Sequence, residues 1–115
     1  MALGKLEEIS KKRIWSHKKL LALKSKVYER FLEMEKAAFG KGKVPKKYKE
    51  LIAVGISVAI DCESCMQWHI EQAAKAGASQ QEILEAVEIG IDMSGGPGTV
   101  SARFALDVME GVFGK

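Results

Sequence analysis

The chain is poor in the residues that build specialised scaffolds. Two cysteines in 115 residues cannot supply a disulfide-dense framework, and two prolines with eleven glycines exclude collagen and proline-rich linkers. No charge sign dominates, since the formal net charge is only +3. Long apolar runs are also missing: the longest, Leu51 to Ile60, is about half of what a membrane-crossing helix needs. The opening MALGKLEEISKKRIW lacks the apolar stretch of a secretory signal, so a cytoplasmic protein without membrane attachment is expected. What the chain does have is 47% hydrophobic and 29% charged residues, the balance of one compact domain able to bury a core without staples. No internal repeat is visible.

Apolar residues recur at helical spacing through most of the sequence. Leu20, Leu23, Val27, Phe31 and Met34 predict an amphipathic helix over about 17–39, with a shorter helical segment before it around Leu6 to Ile14. Gly40 and Gly42 stop it, and Pro45 suits the first turn of the next helix, expected over Pro45 to Ile60. That helix is apolar on nearly every side from Leu51 on, and Gly55 within it suggests close approach of another helix. Asp61 is the expected N-cap of a helix carrying Cys62, Cys65, His69 and Ala73 and ending at Gly77. Ser79-Gln80-Gln81-Glu82 reads as a capping box opening a helix with Ile83, Val87 and Gly90 or Ile91 inside. After Gly95-Gly96-Pro97-Gly98, the residues Val100, Phe104, Val108 and Val112 mark a last helix. The expected fold is all-α, one structural domain of about six helices in antiparallel hairpins, with residues 1–44 as a basic helical segment packing on a core of 45–115.

The charges divide unevenly. Residues 1–49 hold fifteen Lys or Arg against five Asp or Glu, and residues 50–115 hold three against ten. The basic residues alternate with apolar ones at helical spacing and no recognition motif accompanies them, so they read as solvated helix faces and not as a nucleic-acid site.

The chemistry concentrates in one stretch. Cys62, Cys65 and His69 stand at i, i+3 and i+7, on one helix face, and α-carbons three apart in a helix fall within the span a disulfide can close. Both thiols lie in the first turn, where unsatisfied amides and the helix dipole favour the thiolate. His69, one turn beyond Cys65, leans toward that sulfur and can serve as its base. Glu50, eleven residues before Asp61 on the preceding helix, comes near enough to orient or charge His69, directly or through a water. Glu50, His69 and Cys65 then form a proton relay, with Cys62 resolving the oxidised sulfur. Two other readings stay open at this level: a zinc site using the same cysteines, histidine and glutamate, and a pair of inert buried cysteines. His17 reads as a surface residue, and Met66 and Trp68 as packing residues.

The segment KYKELIAVGISVAIDCESCMQWHIEQAAKAGASQQEILEAV resembles the alkylhydroperoxidase-D-like branch of the carboxymuconolactone decarboxylase family. It carries an acidic residue followed twelve positions later by C-x-x-C-x-x-x-H, then Gly-Ala and a capped helix, and the likeness spans about 45–113. The resemblance implies an all-α fold assembling into trimers or hexamers, and reduction of a small-molecule peroxide at the expense of an external dithiol donor, with no cofactor or metal. It also implies Cys65 as attacking thiol, Cys62 as resolving thiol, and Glu50 and His69 as the relay. One position departs from the mycobacterial-type peroxidases, where a second histidine precedes the second cysteine; Ser64 stands there, which bears on peroxidase efficiency and leaves dithiol chemistry intact. The decarboxylase branch shares the fold and lacks the cysteine pair. A decarboxylase-type enzyme, or an oligomeric protein that senses redox state without turnover, is the alternative.

Overall fold

The computed structural model describes residues 2–114; Met1 and Lys115, the outermost positions of the two expected segments, lie outside them. Six α-helices are present among the described residues, and no strand: α1 (Ala2–Ala22), α2 (Lys26–Phe39), α3 (Lys46–Ala59), α4 (Glu63–Lys75), α5 (Gln80–Ser94) and α6 (Gly96–Phe113). They form two compact units, one of α1 and α2, the other of α3 to α6, with the division at Lys41 and Gly42.

In the first unit, the single long helix expected from about 17 to 39 is broken. The chain turns at Lys24, which adopts a left-handed φ of 56°, and α2 restarts with Ser25 as N-cap, its hydroxyl accepting from the Tyr28 amide. The apolar spacing runs straight through this turn, which neither glycine nor proline announces. His17 is not simply a surface residue: it is half-buried, with Nδ1 2.6 Å from the Tyr28 hydroxyl and the two rings edge to face. Leu23, Val27, Phe31 and Met34, expected on an inner face, are exposed, and α2 buries no residue fully.

The second unit has a conventional core. Helix α3 packs on α4 and α5, and α6 closes the other side against the same two helices. Val54 and Val58 of α3, Met66 and Ile70 of α4, Ile83 and Val87 of α5, and Phe104 and Val108 of α6 fill the centre. Burial of one such side chain contributes about 1.5–3 kcal/mol relative to exposure. Val100 and Val112, which mark the last helix by their spacing, are exposed, so α6 turns inward a narrower stripe than that spacing suggests. Short joints hold these helices in register. The capping box at Ser79 and Glu82 forms in both directions. The Glu82 carboxyl also lies 3.1 Å from Lys47 of α3, and the Ser79 backbone N–H followed by that lysine holds it below its ordinary value. Gly95 alone, at φ 72°, separates α5 from α6.

The expectation for Gly55 is met within the unit. A β-carbon there would sit 3.1 Å from the Ala86 carbonyl of α5, so the absence of a side chain allows the two helices to approach. Beside that crossing, Ile52, Ile56, Ile89 and Met93 stay exposed and line an open apolar groove of about 620 Å³ between α3 and α5. The groove includes none of Glu50, Cys62, Cys65 or His69.

Candidate active site

The dithiol sits at the joint between α3 and α4. Helix α3 ends at Ala59, and α4 begins after Cys62, so only Ile60, Asp61 and Cys62 separate them. The expected N-cap, Asp61, is one residue too early: the cap is Cys62, whose Sγ accepts from the Cys65 amide at 3.2 Å. Asp61 instead takes the left-handed conformation, at φ 55°. Asp fits both roles, since its short polar side chain serves N-caps and tolerates the left-handed region. Cysteine at a cap is uncommon and gave no sequence signal.

Cys62 and Cys65 are joined in a disulfide with α-carbons 5.2 Å apart, inside the span such bridges use. Both residues are half-buried. The amide that caps Cys62 donates to its sulfur at the helix N-terminus, the position where a developing thiolate is best stabilised.

Glu50 comes from the second turn of α3 and is only 2% exposed. Its Oε1 lies 2.7 Å from His69 Nδ1, a direct contact with no water needed between them. A carboxylate can only accept, so Nδ1 donates, and Nε2 becomes the ring nitrogen that can take up another proton. The other carboxylate oxygen, Oε2, accepts from Lys46 Nζ at 2.9 Å. Burying a carboxylate without partners is costly, and the imidazole and the ammonium together supply them. Lys46 was missed as a site residue, although its i, i+4 spacing to Glu50 on one helix face was a readable signal.

The four expected residues therefore fall into two contacts at one joint. Glu50 meets His69, and Cys62 meets Cys65, with His69 one helical turn beyond Cys65 on α4. Met66 is fully buried and packs, whereas Trp68 remains 38% exposed. Among the described residues no cluster of three or more His, Cys, Asp or Glu is arranged to hold a metal ion. Here the two sulfurs are bonded to each other.

The carboxymuconolactone decarboxylase family model matches residues 25–108, which include all four of these positions. The chain belongs to the carboxymuconolactone decarboxylase family. Solved structures agree, and two uncharacterised relatives are similar in sequence. An uncharacterised protein of Cupriavidus necator is 40% identical over 76 residues, 66% of this chain and 67% of its own length. Uncharacterised protein 4 in the cox locus of Paracoccus denitrificans is 32% identical over 84 residues, covering 73% and 76%. A family member of Legionella pneumophila superposes with a TM-score of 0.87 at 32% identity over 96% of this chain and 98% of its own. A family member of Thermotoga maritima, with a possible part in the antioxidative response, reaches a TM-score of 0.84 at 26% identity over 91% and 89%. In this chain the cysteine pair, three positions apart, sits at the joint of two α-helices, and no described helix is long and apolar enough to cross a membrane.

Proposed function

We propose that this protein is a thiol-dependent peroxidase of the alkylhydroperoxidase-D-like type, cycling the Cys62–Cys65 pair at the expense of an external dithiol. The single observation that carries the reading is the direct Glu50–His69 contact one turn from a disulfide whose two cysteines share a helix N-terminus. In the reduced protein His69 takes the Cys65 proton. The Cys65 thiolate attacks the terminal peroxide oxygen; the O–O bond breaks, Cys65 becomes a sulfenic acid, and the alkoxide leaves as an alcohol with the proton from His69. Cys62, as thiolate, attacks the sulfenic sulfur and expels hydroxide, which is protonated to water. A donor thiolate then attacks Cys65 and releases Cys62, whose leaving charge falls on the sulfur that the Cys65 amide serves. The donor's second thiol completes its own disulfide and returns both cysteines to thiols.

The test is steady-state consumption of tert-butyl hydroperoxide with dithiothreitol as donor, alongside thiol counting by mass spectrometry. Expected are peroxide loss that depends on the dithiol and a gain of two hydrogens per chain on reduction. A pair that opens and closes without consuming peroxide would favour redox sensing over turnover. Cysteines that accumulate as sulfonic acid, or that bridge between chains, would contradict both.

A homo-oligomer, trimer or hexamer, is part of the same proposal. The exposed Ile52, Ile56, Ile89 and Met93 make a contiguous apolar surface across α3 and α5, larger in character than the scattered apolar residues of a monomer's surface. Light scattering at micromolar concentration is expected to give about 38 or 76 kDa, three or six times the 12.6 kDa chain. A monodisperse particle of one chain mass would refute it.

A further inference from the structure

The joint that presents the cysteines is held from outside the site. Helix α3 closes in a Schellman arrangement: the Asp61 amide donates to the Val58 carbonyl at 3.2 Å and the Cys62 amide to the Ser57 carbonyl at 3.0 Å. The residue between them in such a closure is left-handed and is usually glycine; here it is Asp61. Cys62 belongs to both helices at once, because its amide closes α3 and its sulfur caps α4. Asp61, at the pivot, is bonded through Oδ1 to the Ser101 hydroxyl of α6 at 2.7 Å. Ser101 is buried, and α6 is otherwise absent from the site's contacts described above.

We infer that Asp61 and Ser101 are positioning residues for the dithiol, a tether from α6 that fixes the left-handed pivot and so keeps Cys62 within bonding reach of Cys65. This rests on the proposed dithiol chemistry. The exchange is Cys62 and Cys65 thiols plus oxidised glutathione giving the protein disulfide plus two reduced glutathiones. Its equilibrium depends on the effective concentration of one protein thiol for the other. Releasing the pivot gives the dithiol form more freedom than the disulfide form, so the disulfide becomes easier to reduce. A hydrogen bond that served stability alone would contribute equally to both redox forms and leave the midpoint where it is.

The experiment equilibrates the full chain in glutathione mixtures and counts thiols by mass. Ser101→Ala removes the tether and keeps the aspartate. Asp61→Gly removes it while relieving the left-handed strain, so loss of folding cannot account for both results. Asp61→Asn keeps an accepting oxygen and tolerance of the left-handed region but removes the charge. Ser101→Ala and Asp61→Gly are expected to lower the midpoint value of [GSH]²/[GSSG] by roughly 3- to 10-fold, part of what a hydrogen bond to a charged group contributes. Asp61→Asn is expected to stay within about twofold. Midpoints of Ser101→Ala and Asp61→Gly that match the wild type overturn the inference. An Asp61→Asn shift as large as that of Asp61→Gly overturns it too, because charge and not tethering then sets the equilibrium. A wild-type pair that never exchanges with glutathione is the distinct result that removes the dithiol chemistry itself.

Discussion

Glu50→Gln is expected to slow peroxide turnover on the order of 10²-fold, the usual scale for losing a positioned acid–base group. The change keeps the shape of the side chain and an oxygen for His69 Nδ1, now 2.7 Å away, but removes the negative charge that faces the ring. It also leaves the Lys46 ammonium, 2.9 Å from the other oxygen, facing a neutral amide in place of its counter-ion. In the proposed relay His69 serves as the base for Cys65, so the thiolate forms less readily without Glu50. In a Cys62→Ser background, alkylation of Cys65 by iodoacetamide should therefore move to higher pH. His69→Gln should move it in the same direction. The double replacement should do no worse than the larger single one, since groups in one relay do not contribute independently. Alkylation profiles unchanged in both single variants would remove the relay and leave only the α4 N-terminus as a reason for thiol reactivity.

The sequence exposed the second unit well because its signals are local and mutually consistent. Pro45, the Ser79 box and the Gly95-Gly96-Pro97-Gly98 stretch each mark a helix end through backbone chemistry, and the core positions Val54, Val58, Ile83, Val87, Phe104 and Val108 carry the helical period. The break between α1 and α2 was illegible for the complementary reason. A lysine at φ 56° carries no mark of that conformation, and Leu20, Leu23 and Val27 keep the period of a continuous helix across the turn. At the site, the spacing of Cys62, Cys65 and His69 was readable, as was the reach of Glu50 across the joint. Which residue caps α4 was not. Asp61 and Cys62 are adjacent, and only the two amide bonds closing α3 show that the pivot is the aspartate. The Ser101 tether, forty residues away in the chain, leaves no local pattern at all.

Gly90→Ala should be the most damaging single methyl in the α3–α5 contact. A β-carbon at Gly90 would lie 2.5 Å from the Gly55 carbonyl oxygen and 2.8 Å from the Val58 β-carbon. Neither atom is the end of a flexible side chain, so no rotamer change relieves the overlap and the helices must separate. The same methyl at Gly55 meets the Ala86 carbonyl at 3.1 Å, which a few tenths of an ångström of movement accommodates. Alanine also favours helix over glycine by about 1 kcal/mol at both positions, and that gain offsets much of the strain at Gly55 but not at Gly90. Overpacking of a tight core costs about 1–3 kcal/mol, so Gly90→Ala is expected to lose about 2 kcal/mol, or roughly 8 °C in Tm at fixed protein concentration. Gly55→Ala should stay within about 1 kcal/mol of wild type by the same balance. Far-UV circular dichroism on heating measures both. Because α3 also carries Glu50, separation of the helices would disturb the Glu50–His69 contact, so Gly90→Ala should shift Cys65 alkylation toward higher pH even where the protein remains folded. Equal stability of the two variants would contradict a tighter α3–α5 contact at Gly90 than at Gly55.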